Sequence, residues 1–257
     1  MRFLGTLCSM AACVCAAAQA QVPETGRWQE LSFDTRAVND SMAGQYHALL
    51  ADYRRTGRLD DDRAVLQRVR RIAAGMHAAA VALAPQARHW RWEVHTSSDP
   101  DLDAICMAGG KLLVGSRFVR RLALRDGELA VLIAHEMAHA VAEHHRETLS
   151  EALHFNPQPA TTLEVTMARL DSDLALQLYL RHLSHFQERE ADQLGMVIAH
   201  RAGWPSAGFL SFYRKLAREE APTLIASHPS AASRLSMAKG MARLFAASQA
   251  SRLPTPW

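Results

Sequence analysis

The chain has 257 residues, enough to bury a full hydrophobic core as one large domain or a domain with an appendage. Hydrophobic residues make up 49% and charged residues 21%, which excludes disordered, collagenous and coiled-coil chains. A formal net charge of +3 leaves no electrostatic footprint for nucleic acid, and no such partner is expected.

The first long feature is an apolar run over residues 3–18, preceded by the single charge of Arg2. At 16 residues it is short for a bilayer span of about 20. Ala18-Gln19-Ala20 supplies an A-x-A cleavage pattern, so residues 1–20 are read as a signal peptide and the chain as exported, to a bacterial periplasm or beyond it as a secreted protein. Met10-Ala11-Ala12-Cys13 loosely resembles a bacterial lipobox, with Met where Leu is usual. On that reading Cys13 carries a lipid and anchors the protein peripherally to a membrane. Removal of residues 1–20 leaves Cys106 as the one cysteine, so no internal disulfide holds the fold.

Residues 21–58 form a mixed N-terminal segment, with a short helix expected at 42–54. From Asp62 to Leu83 apolar residues recur every three or four positions, which predicts an amphipathic helix with Arg63, Arg68, Arg70 and Arg71 on its solvated face. Residues 90–96 alternate as a strand does, and 104–107 and 111–115 read as two further strands around Gly109-Gly110. Helices follow over 116–124 and over 127–147, the second capped by Asp126. Residues 162–201 read as continuous helix up to Gly203-Trp204-Pro205. Ser206 caps a helix reaching about Glu219, and the last helix covers 231–247. A tail of residues 248–257 closes the chain. The tryptophans Trp28, Trp90, Trp92 and Trp204 are read as packing residues. The architecture expected is mainly α with one small β-sheet, an α+β class.

The helix over 127–147 contains His135-Glu136-Met137-Ala138-His139. Histidines at i and i+4 lie one turn apart on the same face, so both imidazoles can grip one metal ion. Glu136 projects beside that ion and can take a proton from a coordinated water. The flanks are apolar, and ionisable groups in a buried helix need a compensating partner. A zinc hydrolase needs a third protein ligand and an open position. His145 lies at the spacing of a third histidine, but that arrangement needs Gly at 142 to end the helix. With Ala142 the helix is expected to run on, carrying His144 and His145 away from the metal as surface or supporting groups. Glu188 is the stronger candidate ligand. Asp192, four residues on, faces the same way and can accept a hydrogen bond from the far nitrogen of a ligating histidine. Glu190 is expected elsewhere on that helix, solvated.

With these motifs in view, the chain resembles the gluzincin peptidases of the HtpX and CAAX-prenyl-protease type, metallopeptidase family 48, over about Leu59 to Leu244. H-E-x-x-H is matched by His135–His139, E-x-x-A-D by Glu188–Asp192, and the His-Pro with a following Arg by His228-Pro229 and Arg234. A strand segment like N-A-F-A-x-P-G-G is matched by Asp103–Gly110, with Asp103 for Asn and Ala108 for Pro. The resemblance implies a zincin-like domain over 59–247, its active-site helix beside a short sheet, with one Zn²⁺ per chain on His135, His139 and Glu188. Asp192 and Arg234 would support the ligands. It also implies zinc-dependent endopeptidase chemistry with Glu136 as the base. His228 would act either as an oxyanion donor or as an occupant of the open metal position. The segment Gly109, Gly110, Lys111, Leu112 and Leu113 would hold an extended substrate by its backbone. The chain looks most like the soluble periplasmic branch of BepA-like and LoiP-like proteases. Its substrates would then be unfolded or misassembled envelope and outer-membrane proteins. A metal-bearing periplasmic chaperone or assembly factor with little proteolysis is the alternative.

Overall fold

The computed structural model describes residues 18–155, 161–219 and 230–250. It is mainly helical with two small sheets, the α+β class expected. A short hairpin, β1 (Ala18–Gln21) and β2 (Trp28–Leu31), opens the described chain. Trp28 is 63% exposed rather than packed, because it falls on the outward face of β2, whose burial alternates. Trp90, Trp92 and Trp204 do pack on the core.

Helix α1 (Thr35–Arg55) starts earlier than expected because the Asp34 carboxylate caps it, accepting from the Ala37 N–H at 2.9 Å. Helix α2 (Arg63–Leu83) is capped the same way by Asp62. Its apolar stripe from Val65 to Leu83 enters the main core, while Arg63, Arg70 and Arg71 stay exposed.

The second sheet has the order β3-β5-β4, from β3 (Glu93–Ser97), β4 (Ala104–Met107) and β5 (Lys111–Gly115). The β3–β5 pair is parallel and the β4–β5 pair antiparallel. All five residues of β5 are buried. The expectation that Gly109–Leu113 offers a free edge to substrate is therefore corrected: β5 is the central strand and both its hydrogen-bonding edges are taken. Gly110, at φ +79°, leaves no room for a Cβ against the Trp92 ring, and Lys111 pairs with Glu93 at 3.1 Å. These residues build the sheet. Strand β4 ends it.

Helix α3 (Ser116–Arg121) leads to α4 (Asp126–Val141), which is buried on almost every face and packs on α2, the sheet and two helices from later in the chain. Its N-cap is Arg125, one residue before the position expected. The Glu128 carboxylate accepts from the Arg125 backbone N–H at 2.8 Å, and Asp126 pairs with Arg68 and Arg71 instead.

The helix expected to run to residue 147 stops at Val141. Glu143 takes a left-handed conformation, φ 54° and ψ 32°, and α5 (His144–His154) restarts the chain in a new direction. Glycine is not required, because the environment holds the turn. Gln29 donates to the freed Ala142 carbonyl at 3.1 Å, and the Glu143 carboxylate accepts from the Thr35 hydroxyl at 3.2 Å. Similarly, α6 (Leu163–Ser172) and α7 (Leu174–Arg201) are separate helices, because Asp173 leaves the helix to cap α7 through the Leu176 N–H. Helices α8 (Ala207–Glu219) and α9 (Ala231–Ala250) pack on each other beside α4 and α7. No helix among the described residues is long and apolar enough to cross a membrane.

Candidate metal centre

The site forms where α4 and α7 touch. Gly195 on α7 allows the approach: a Cβ there would lie 2.8 Å from the His135 backbone nitrogen. Two turns up α7 from Gly195, Glu188 then faces the two histidines. His135 Nε2 and His139 Nε2 are 3.2 Å apart, and each lies 3.4 Å from a Glu188 oxygen. Donors about 2.1 Å from a tetrahedral ion stand roughly 3.4 Å from one another. Two imidazole lone pairs and a carboxylate converging at that separation fit a divalent cation.

Behind this set, His135 Nδ1 lies 2.9 Å from Asp192 Oδ1, which orients the ring with Nε2 toward the site. Asp192 is itself gripped by Arg234 of α9 through two bonds of 2.9 and 2.7 Å, and by the Tyr213 hydroxyl of α8 at 2.6 Å. Burial opposes ionisation of Asp192, but its bond to His135 and the Arg234 charge hold it well below the usual carboxylate range. Burial also opposes a charge on His135, yet Asp192 and Glu188 outweigh it and push that imidazole up to about 10. His139 goes the other way, to about 3, through burial and the neighbouring His135 and His144, with Glu188 opposing. The carboxylates thus demand one positive charge at this point, and a cation placed among the three donors meets that demand.

Glu136 is half-buried and lines a cleft of about 290 Å³ with His135, Arg234, Asp103, Ala104 and Phe212. The cleft therefore joins the candidate base and His135 to the start of β4. The Gly115 N–H donates to the Asp103 carbonyl at 2.8 Å, so in this antiparallel register positions 103, 105 and 107 bond to β5. The backbone groups of Ala104 and Cys106 face away from β5, on the side of β4 that pairs with no other strand among the described residues; Ala104 is half-buried there and Cys106 buried.

Six residues singled out from the sequence, His135, Glu136, His139, Glu188, Asp192 and Arg234, come together here. Gly109, Gly110, Lys111, Leu112 and Leu113 do not reach the cleft. His228 and Pro229 lie outside the described residues. Two expectations are corrected. His144 is not carried away from the site: the break at Glu143 returns it, 2% exposed, with Nδ1 3.0 Å from His139 Nδ1. Its neighbour His145 is half-buried, its pKa pushed down to about 4 by burial and by His144. Nor is Glu190 solvated. It is 6% exposed and accepts from Arg27 Nε and the Thr25 hydroxyl, each at 2.8 Å. Tyr213, Arg27 and Glu147 carry no local sequence signal, since each acquires its place through contacts more than 20 residues away.

An H-E-x-x-H helix beside a short sheet, with a glutamate from a second helix closing the donor set, defines a metallopeptidase of the zincin class. The model of peptidase family M48 matches residues 65–242, and the chain belongs to that family. It is 32% identical over 133 residues to the mitochondrial metalloendopeptidase OMA1 of Saccharomyces cerevisiae, covering 51% of this chain and 38% of that protein. It is 28% identical over 142 residues to OMA1 of Arabidopsis thaliana, covering 54% and 29%. Against the beta-barrel assembly-enhancing protease of Yersinia pestis it is 25% identical over 162 residues, covering 56% and 33%. The chain spans well under half the length of these relatives.

Proposed function

We propose that this chain is a zinc-dependent endopeptidase that cleaves unfolded or misassembled proteins of the bacterial envelope. The observation that carries the chemistry is the convergence of His135, His139 and Glu188 on one point, with Glu136 beside it in an open cleft. A zinc ion held there supplies Lewis acidity and an acidified water. Glu136 accepts the proton of the attacking water and passes it to the leaving amine. Asp192, through His135 Nδ1, keeps one ligating lone pair aimed at the site. Substrate lies extended along the start of β4, where Asp103 and Ala104 line the cleft, held through backbone groups, a mode tolerant of side chains and suited to unfolded chains. His228 acts either as an oxyanion donor or as a gate. His228→Ala slows cleavage in the first role and speeds it in the second.

Glu136→Gln tests the base. It should hold zinc as wild type does while casein cleavage falls about 100-fold or more; undiminished cleavage by that variant refutes the assignment.

The envelope role draws support from the export-like N-terminus and from the assembly-enhancing relative, while the OMA1 relatives are named as mitochondrial. Cleavage after Ala20 would leave only the Gln21–Trp28 pair of the first hairpin, whereas anchoring through Cys13 retains it. Mass spectrometry of the mature N-terminus separates those routes, and fractionation tests the periplasmic location.

A further inference from the structure

Each histidine of the centre has its far nitrogen facing another side chain, and the two partners differ. His135 faces the Asp192 carboxylate. His139 faces a third imidazole, His144, at 3.0 Å between the two Nδ1 atoms. A histidine that offers Nε2 to a cation must carry its proton on Nδ1. His139 Nδ1–H therefore donates, and His144 Nδ1 accepts. That fixes the His144 proton on Nε2, which points at Glu190 Oε2 at 3.6 Å. The distance exceeds a hydrogen bond, and among the described residues this buried nitrogen has no hydrogen-bond partner. Glu190 serves it as a facing negative charge.

The rest of the assembly holds that alignment. Arg27 bridges two buried carboxylates, Glu190 through Nε at 2.8 Å and Glu147 through both terminal nitrogens at 2.5 and 2.8 Å. Thr25 takes the other Glu190 oxygen. Gln187, one residue before the candidate ligand, bonds both the His144 carbonyl at 3.1 Å and Glu147 at 2.9 Å. Burying such carboxylate, guanidinium and imidazole groups costs several kcal/mol unless they are paired; here Arg27 pairs with both carboxylates, and His144 has His139 on one side and the Glu190 charge on the other.

We propose that His144 is the positioning residue for His139, as Asp192 is for His135, and that Arg27, from the segment preceding the peptidase match, locks it through Glu190. The inference rests on the metallopeptidase reading and extends it: the N-terminal segment becomes part of the metal centre's support.

The test uses the full chain, with zinc affinity read by competition with a chromophoric chelator and the ligand field read from the Co²⁺ visible spectrum. His144→Phe removes the acceptor at similar volume; zinc affinity should fall about 10–100-fold and the Co²⁺ bands should shift. His144→Asn places an amide oxygen where Nδ1 stood and should restore both. Arg27→Gln and Glu190→Gln should weaken zinc in the same direction by smaller factors, with far-UV circular dichroism unchanged. Should the Phe variant not fold, those two carry the test. Wild-type affinity and spectrum in the folded variants overturn the positioning role while leaving the metallopeptidase reading intact. Failure of wild type to bind zinc or Co²⁺ overturns that reading itself.

Discussion

Asp192 concentrates more of this site's electrostatics than any ligand does. It is 1% exposed and has three partners, His135, Arg234 and Tyr213, each from a different helix. Asp192→Asn keeps the shape and removes the charge, leaving the Arg234 guanidinium buried beside a neutral amide. Loss of one member of a buried pair costs about 3–5 kcal/mol, and loss of the ligand's support costs about 10–100-fold in metal affinity. Urea unfolding and chelator competition measure the two separately; wild-type values in both would show that the charge is not used. Cys106 is a quieter neighbour. Burial, with the nearby Glu136 charge adding, pushes its thiol well above the usual range. Alkylation by iodoacetamide is accordingly expected only after denaturation, and rapid labelling of the native protein would contradict the burial of Cys106.

At the scale of elements, helix α4 is fixed at its first turn by Glu128 and at its middle by Gly195 of α7. Glu128 is buried, yet Lys215, Ser211 and Arg125 bring its pKa down to about 2. A carboxyl whose folded pKa lies below its ordinary 4.5 stabilises the fold above about pH 4.5, and that stabilisation is lost as pH falls toward 2. On the order of 2–3 kcal/mol separates wild type from Glu128→Gln at pH 7 on this argument. The gap between their urea midpoints should close as pH falls from 5 to 2; a gap independent of pH would remove the explanation. Gly195 sets the α4–α7 spacing. Gly195→Ala drives a Cβ into the His135 backbone, which cannot swing aside as a side-chain tip would. Destabilisation of about 1–3 kcal/mol is expected from such overpacking, with weaker zinc binding. Gly75, inside α2 and exposed, with room for a Cβ among the described residues, is the contrasting site. Gly75→Ala should stabilise by up to about 1 kcal/mol. Thermal melts of the pair decide whether close approach or helix propensity governs each position.

For the whole molecule, the centre is a joint as much as a reactive site. Its side chains come from α4, α5, α7, α8, α9 and the N-terminal segment. An ion bound only by the folded state stabilises that state by mass action. At one hundred times its dissociation constant the gain is about 2.7 kcal/mol. The melting temperature should rise with zinc and fall with chelator, and a melt indifferent to both would place the ion outside the fold's joint. The same assembly explains the corrections to the sequence reading. Periodicity finds a helix but not an interruption imposed from outside. The stop after Val141 depends on Gln29 and Thr35, more than 100 residues upstream, so spacing alone carries His144 away from the site; Glu190 owes its burial to Arg27 and Thr25, equally remote in the chain. Strand β5 could be located from its apolar run, but its central place in the sheet depends on a parallel partner across a crossover.

What the chain determines by itself is whatever rests on short-range spacing. Two imidazoles four residues apart with a glutamate beside the first, and a second acidic pair also four apart, mark a cation site wherever the helices go, because 3.6 residues per turn puts each pair on one face. Local alternation and punctuation likewise locate β4, β5 and the helix starting near Asp62. Only the tertiary structure decides which strand lies at the centre of the sheet, and that His144 and Arg27 stand behind the second histidine. Those placements are set by contacts between segments far apart in the chain, whose strength depends on burial that exists only once the helices have packed.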